Sequence, residues 1–301
     1  MKENVRTVIC SLFYFDIQPR VLVGNYTHEE ALHYFREAGD KIKQGFNLSE
    51  NVCIRRFTRE DFEKIKEWCR GSLSEFLVGL DQVKFVIEFS NLPESDDLIV
   101  EKIIQNFLLA TRIHKAVPVT CKFFWSVDDS RIKSLGVFYQ NGGYPKPPAV
   151  SSRAISHVHL FVEDIDVIKE LFDKIQNVDF VKRRSFQIAC ERFTRSFEEP
   201  NDDEILIDYC IAFEALFFKG EGSPPSVGKY VGLACSLLLG KNEQERDEIH
   251  TFIVKAYEIR NKIVHGSEFK TPIKLKNGEY ELNQFILHIQ CYLKESLKRL
   301  I

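Results

Sequence analysis

The stretch EQERDEIHTFIVKAYEIRNKIVHG, residues 243–266, decides how the second half of the chain folds. Its residues Ile249, Phe252, Ile253, Ala256, Ile259 and Ile263 recur at spacings of three and four, the pattern of a helix with one buried face. Arg260 and His265 lie off that stripe, with four residues between them. Five steps of about 100° turn their directions roughly 140° apart on an ideal helix, so they meet only if the helix ends at the histidine. Gly266 supplies that ending, because glycine best suits the left-handed turn after a last helical position.

Helical patterns surround this stretch on both sides. RRSFQIACERFTRSF (183–197), ILIDYCIAFEALFFKG (205–220), GKYVGLACSLLLG (228–240) and NQFILHIQCYLKESLKRLI (283–301) are each of bundle length. The second is apolar all round, as a central helix would be. Five helices with short connections predict a compact all-α domain over residues 183–301.

Residues 1–180 predict something different. VCIRRF (52–57), KFVIEF (84–89) and TCKFFWSV (120–127) have the alternation or β-branched content of strands. EEALHYFREAGDKI (29–42), EDFEKIKEWCRGSLSEFL (60–77) and LIVEKIIQNFLLATRIHK (98–115) have the periodicity of helices. YQNGGYPKPPAVSSR (139–153) is a loop or linker, AISHVHLFV (154–162) a strand and EDIDVIKELFDKIQ (163–176) a helix. The expected fold class is therefore α+β: a mixed α/β N-terminal domain followed by a helical bundle.

Composition narrows the function classes. A hydrophobic fraction of 44% over 301 residues supports folded cores, and no low-complexity tract or repeat interrupts them. The first twenty residues lack a signal-peptide core and no later run reaches membrane-span length, so a cytoplasmic protein without membrane segments is expected. The eight cysteines are scattered without a C-x-x-C pair, which predicts reduced core residues. The close pair His157 and His159 has no cysteine beside it, so no metal site and no cofactor are expected.

A net charge of −3 argues against binding nucleic acid through a bulk positive field. Locally the balance reverses. Residues 196–250 hold twelve Asp/Glu against four Lys/Arg, whereas residues 251–301 hold nine Lys/Arg against five Asp/Glu. A polyanion would meet the second stretch first.

The helix end at residues 260–266 has chemistry of its own. Histidine exchanges protons near neutrality, arginine offers a planar fork of donors suited to phosphate, and Asn261 adds a neutral donor and acceptor. Such a set suits metal-free RNA cleavage, in which a base activates the 2′-hydroxyl, a cation steadies the phosphate and an acid protonates the leaving oxygen. One histidine does not readily do both proton transfers, so a homodimer that joins two helix ends is expected. The same residues also fit an ordinary C-terminal cap with a surface salt bridge. A similar pair, Arg153 and His159, lies on a strand-like run and fits the chemistry poorly. KGEGSPPSVGK (219–229) has no strand before it and no Gly-Lys-Ser/Thr ending, so it is a loop and not a phosphate cradle.

Three blocks in order, FQIACERFTRSFEEPNDDEILIDYCIAFEALFF (186–218), SLLLG (236–240) and FIVKAYEIRNKIVHG (252–266), resemble the HEPN domains of the Apea-like group over roughly the last 115 residues. The resemblance implies a helical bundle that dimerises around an Arg-Asn-x-x-x-His motif. It implies a metal-independent RNA endonuclease, of the kind found in toxins, RNA-processing factors and antiphage defence systems. Carried across, Arg260, Asn261 and His265 form the catalytic set, with Glu214 of AFEALF orienting them. Lys262 and Lys229 are the candidates for substrate contacts, Lys229 being the one cation on a third helix where the resemblance leads one to expect arginine. Some domains of that superfamily look like non-catalytic modules for RNA or nucleotide binding or dimerisation, which is the alternative. By analogy with defence proteins of similar layout, the N-terminal domain would sense or dock a phage component or another regulatory partner.

Overall fold

The computed structural model describes residues 5–13, 15, 17–18, 27–69, 80, 83–93, 97–128, 131–137, 160–218 and 226–301. The chain divides into two compact units. Among the described residues the first holds those up to Thr111, then 119–137 and 160–172; the second holds Arg112–Pro118 and Asp173–Ile301.

In the first unit the elements run β1 (Val5–Phe13), β2 (Ile17–Gln18), α1 (His28–Gln44), β3 (Phe46–Ser49), β4 (Val52–Arg56), α2 (Arg59–Trp68), β5 (Phe85–Pro93), α3 (Asp97–Lys115), β6 (Thr120–Asp128), β7 (Arg131–Val137), β8 (Leu160–Phe161) and the start of α4 (Asp164–Gln176). Six strands form an antiparallel sheet in the order β3-β4-β5-β1-β6-β7. Strand β1 lies inside it, with Ile9 opposite both Glu88 and Trp125. Residues Val8 to Leu12 are all buried, so both faces of this strand are covered. On one face Ile65 and Cys69, at the end of α2, pack with Ile9, Val86 and Trp125. On the opposite parity Phe85 meets Phe15, which meets Phe107 of α3. Hydrophobic burial on both faces fits a sheet between layers rather than one facing water.

Two helices of this unit start in capping boxes, Thr27 with Glu30 and Thr58 with Asp61, which satisfy amide donors that a helix start leaves free. Asp61 also holds Arg55 in a two-point contact at 2.7 and 3.0 Å, while the Arg55 Nε donates to Glu88. The two arms of that guanidinium and its Nε are thus all bonded to carboxylates.

The second unit continues with the rest of α4, then α5 (Arg184–Arg195), α6 (Asp202–Phe217), α7 (Val227–Leu239), α8 (Glu243–Val264), β9 (Ile273–Leu275), β10 (Gly278–Tyr280) and α9 (Leu282–Leu300). The five helices expected from the sequence are present, with one addition, the short antiparallel hairpin of β9 and β10. Its turn is tied to the start of α8 by Lys276 to Asp247 and by Asn277 to Glu248. The fold class is α+β, a sheet-bearing unit followed by a helical one.

Helix α6, apolar all round in sequence, buries Ile205, Leu206, Tyr209, Cys210, Ala212 and Phe213. Along α8 the expected stripe is buried from Ile249 to Ile259, with Ile263 partly exposed at the end. Helices α7 and α8 approach closely because α7 turns glycine toward its neighbour. A Cβ at Gly232 would lie 3.1 Å from the His250 ring, and one at Gly228 only 2.7 Å from the Cβ of Tyr257. The small residues Gly228, Gly232, Ser236 and Gly240 recur every four positions, one row along the helix. With small side chains inward, α7 leaves the large Tyr230, Leu233 and Leu237 exposed at 49%, 53% and 57%.

All eight cysteines are free thiols, six of them buried. No helix among the described residues is long and apolar enough to cross a membrane. The loop expected at 139–153, the pair Arg153 and His159, His157, most of the strand expected at 154–162 and the end of the helix expected at 60–77 lie outside the described residues.

Candidate active site

The end of α8 is built as its sequence suggests. His265 is the last residue before the turn, with φ −91° and ψ 7°, and its N–H donates to the Asn261 carbonyl. Gly266 then takes φ +65°, the left-handed region that a side chain disfavours. Its N–H donates to Ile263 O at 3.0 Å, and that of Ser267 to Lys262 O at 2.8 Å. This pair of bonds is the Schellman arrangement, which uses carbonyls that a helix end otherwise leaves free. It holds the histidine at a fixed place on the surface.

Around this turn the side chains fall into two groups. Asn261, Lys262 and His265 are exposed, and the His265 imidazole makes no hydrogen bond or ion pair with any described residue. Arg260 is half-buried. Its Nη1 donates to Asn261 Oδ1 at 3.2 Å, while its Nε is buried with no partner among the described residues. A charged donor removed from water and left unbonded costs free energy that a phosphate in reach would offset.

Glu214 and Lys229 come from other helices and are drawn toward this end through Tyr257. Tyr257 is buried one turn before Arg260, and its hydroxyl donates to the Cys210 carbonyl of α6 at 3.0 Å. Glu214 lies one turn beyond Cys210, half-buried. Burial pushes the Tyr257 phenol well above its usual pKa, with Cys210 and Glu214 adding to the effect and Arg260 opposing it. Burial likewise raises the Cys210 thiol, which Arg260 lowers and Glu214 raises. Both charges therefore reach the same spot. Lys229 is exposed beside Gly228, the residue that lies over the Tyr257 ring.

The six residues singled out from the sequence thus gather at one end of the α6–α7–α8 cluster. What the single chain does not do is bond them to one another: among the described residues no hydrogen bond or ion pair joins Arg260 to His265 or to Glu214. Sequence reasoning missed Tyr257 and Gly228. The four-residue row of small side chains in α7 was the signal for the second of these, and Tyr257 stood inside the motif itself.

Charge pairing marks the same place. After residue 250, Lys255, Lys274, Lys276 and Lys294 each pair with a carboxylate, and Arg299 binds carbonyls at the end of α7. Arg260, Lys262, Lys270 and Lys298 form no ion pair among the described residues, and three of those four lie between 260 and 270. Positive charge is left open where the histidine stands. No group of three or more His, Cys, Asp or Glu placed to hold a metal occurs among the described residues.

No protein-family model, no curated protein and no solved structure matches this chain.

Proposed function

We propose that this protein is a metal-independent RNA endonuclease of the HEPN type. The observation that carries this reading is the helix end itself, where the last turns of α8 carry a half-buried Arg260 with an unused donor, an exposed His265 and a Lys262 unpaired among the described residues. In the reaction, a 2′-hydroxyl oxygen attacks the adjacent phosphorus while its proton passes to a base, for which an imidazole is suited. The guanidinium of Arg260 stabilises the charge that grows on the phosphate oxygens. The 5′-oxygen leaves with a proton from an acid. The products are a 2′,3′-cyclic phosphate and a 5′-hydroxyl.

Base and acid are two roles, and each chain offers one histidine at this end. A homodimer with a composite site supplies both. The exposed row Tyr230, Leu233 and Leu237 on α7 supports self-association, since large apolar side chains on a helix already apolar inward are ordinarily covered. Eight free thiols fit a reducing, cytoplasmic setting.

Two tests address this. RNA carrying a single 2′-deoxy nucleotide at a mapped cleavage position should resist cutting there, and products of unmodified RNA should end in cyclic phosphate; cutting of the deoxy site at the parent rate would sink the mechanism. Leu233→Glu together with Leu237→Glu should convert a dimer into a 35.1 kDa monomer by light scattering and abolish cutting. A monomeric parent that cuts at full rate would refute the composite site.

A further inference from the structure

The chain beyond Gly266 is held at both ends. Ser267 donates to the Lys262 carbonyl in the last turn of α8, and the turn between β9 and β10 is tied back to the start of the same helix, Lys276 to Asp247 and Asn277 to Glu248. Buried Ile273 and the Tyr280 ring, 5.2 Å from that of Phe252 on α8, seat the hairpin. Residues 248–262 of α8 span about 21 Å, and the segment from Ser267 to Asn277 reaches about 34 Å when fully extended, so it runs back along the helix as a strap. Its side chains divide. Phe269, Pro272, Ile273 and Leu275 are partly or fully buried, whereas Lys270, Thr271 and Lys274 are exposed. Lys274 pairs with Glu279 at 2.8 Å. The Lys270 side chain forms no ion pair or hydrogen bond among the described residues, and neither does that of Glu268, the one carboxylate between Ser267 and Lys276. Lys270 follows Ser267 so closely that its Cα stands within about 11 Å of a residue bonded to the last turn of α8. Lys298 is likewise exposed and without an ion pair among the described residues, but it stands elsewhere. Its neighbour Arg299 binds the Leu238 and Leu239 carbonyls at the end of α7, away from the Gly228 end that meets Tyr257.

We propose that this strap is a lip of the RNA site, on which Lys270 binds a phosphate flanking the one at Arg260. The assignment rests on reading the helix end as an RNA site, and it adds what part of the strand is held there: backbone, not base. A lysine ammonium is a point charge without the planar fork of arginine, which suits it to holding a flanking phosphate rather than stabilising the reacting one. A strap pinned at both ends has little freedom left to lose when RNA binds, so the contact costs less ordering than one made from a free loop. Lys262 precedes the Schellman turn and Lys270 follows it, so the unpaired positive charge continues past the histidine along the strap. Binding of this kind is indifferent to base sequence and weakens with salt, because each phosphate neutralised releases counterions.

The test measures affinity for a short, fluorescent, single-stranded 2′-O-methyl RNA, which the proposed reaction does not cleave, by anisotropy in EDTA over a range of salt concentrations. Lys270→Gln should weaken binding about fivefold at about 0.1 M salt and reduce the slope of log affinity against log salt by about 0.7, the share of one phosphate contact on a single strand. Lys274→Gln, on the same strap but already paired, and Lys298→Gln, unpaired but at the far end of α7, should each stay within about twofold of the parent with the slope unchanged. All three side chains are exposed, so thermal midpoints should hold. Parent-like affinity and slope in Lys270→Gln overturns the assignment. Equal losses in all three variants overturn it too, since the general charge of the protein would then account for them. Cleavage of ordinary RNA by the parent, run alongside, judges the nuclease reading separately. A parent that shows the expected binding pattern but does not cut sustains the assignment and overturns the nuclease. A parent that cuts, with an affinity indifferent to Lys270, overturns the assignment alone; one that neither binds nor cuts overturns both.

Discussion

Arg55 in the first unit and Arg260 in the second are both partly buried arginines, and their surroundings differ in kind. Arg55 meets Asp61 at two points and Glu88 at a third, and Asp61 in turn accepts from the Thr58 amide and hydroxyl that start α2. Every charge there has an opposite partner inside the fold. Arg260 has one neutral contact, to Asn261, a buried Nε without a partner among the described residues, and no ion pair with any of them. The first arrangement is what stability requires of buried charge, and the second is what stability alone would not retain. The second arrangement is the one the proposed RNA site needs, a guanidinium with donors left over for a phosphate.

The largest effect expected from this contrast is on activity. Arg260→Ala should lower RNA cleavage by about 100- to 1,000-fold, as loss of a group that stabilises transition-state charge does. Its thermal midpoint should barely move, because the substitution also removes an unsatisfied buried donor. A cooperative loss of fold would place Arg260 in the same class as Arg55.

The mirror experiment is Asp61→Asn, which leaves Arg55 short of charge and should cost about 3 kcal/mol in denaturant unfolding, with the cutting rate of the folded protein unchanged. Burial alone would raise the Asp61 pKa, but the hydrogen bonds from Arg55 and Thr58 outweigh it and hold the carboxyl below its ordinary 3.8. A carboxylate whose folded pKa is depressed stabilises fully above its unfolded value and loses that contribution as pH falls through the folded one. The gap between parent and Asp61→Asn should therefore be constant above about pH 4 and close below it. A gap that widened in acid would contradict the ion pair.

Smaller effects sharpen the site. Arg260→Lys keeps a positive charge but not the planar fork, and should cost about tenfold in cutting. Equal rates would mean that charge alone matters there. Gly266→Ala forces a side chain into the left-handed region and should cost about 1 kcal/mol of stability. Space is not the issue, since a Cβ at Gly266 would meet nothing within 4 Å.

The helical unit was legible because most of its helices are amphipathic, so that period 3.6 shows over twelve or more residues, and because the wholly apolar α6 is too long for an ordinary strand. The sheet was less so. Strand β1 was missed because VICSL, residues 8–12, is buried on both faces and shows no alternation, leaving nothing to distinguish it from any apolar run. The hairpin of β9 and β10 has strands of three residues, too short for a period, although Asn277 and Gly278 form a dipeptide common in such turns. At the site, Arg260, Asn261, Lys262, His265 and Gly266 could be read together because they fall within seven consecutive residues. That Tyr257 reaches the Cys210 carbonyl depends on how α6 and α8 are set against each other, which periodicity within either helix does not carry.

The most direct test of the account is cleavage of a labelled RNA pool by the purified protein in EDTA, compared with His265→Ala. The account predicts cutting by the parent and a loss of at least about 100-fold in the variant, with folding and dimer mass unchanged. Cutting that survives His265→Ala, or a folded parent that leaves every RNA intact, would contradict it.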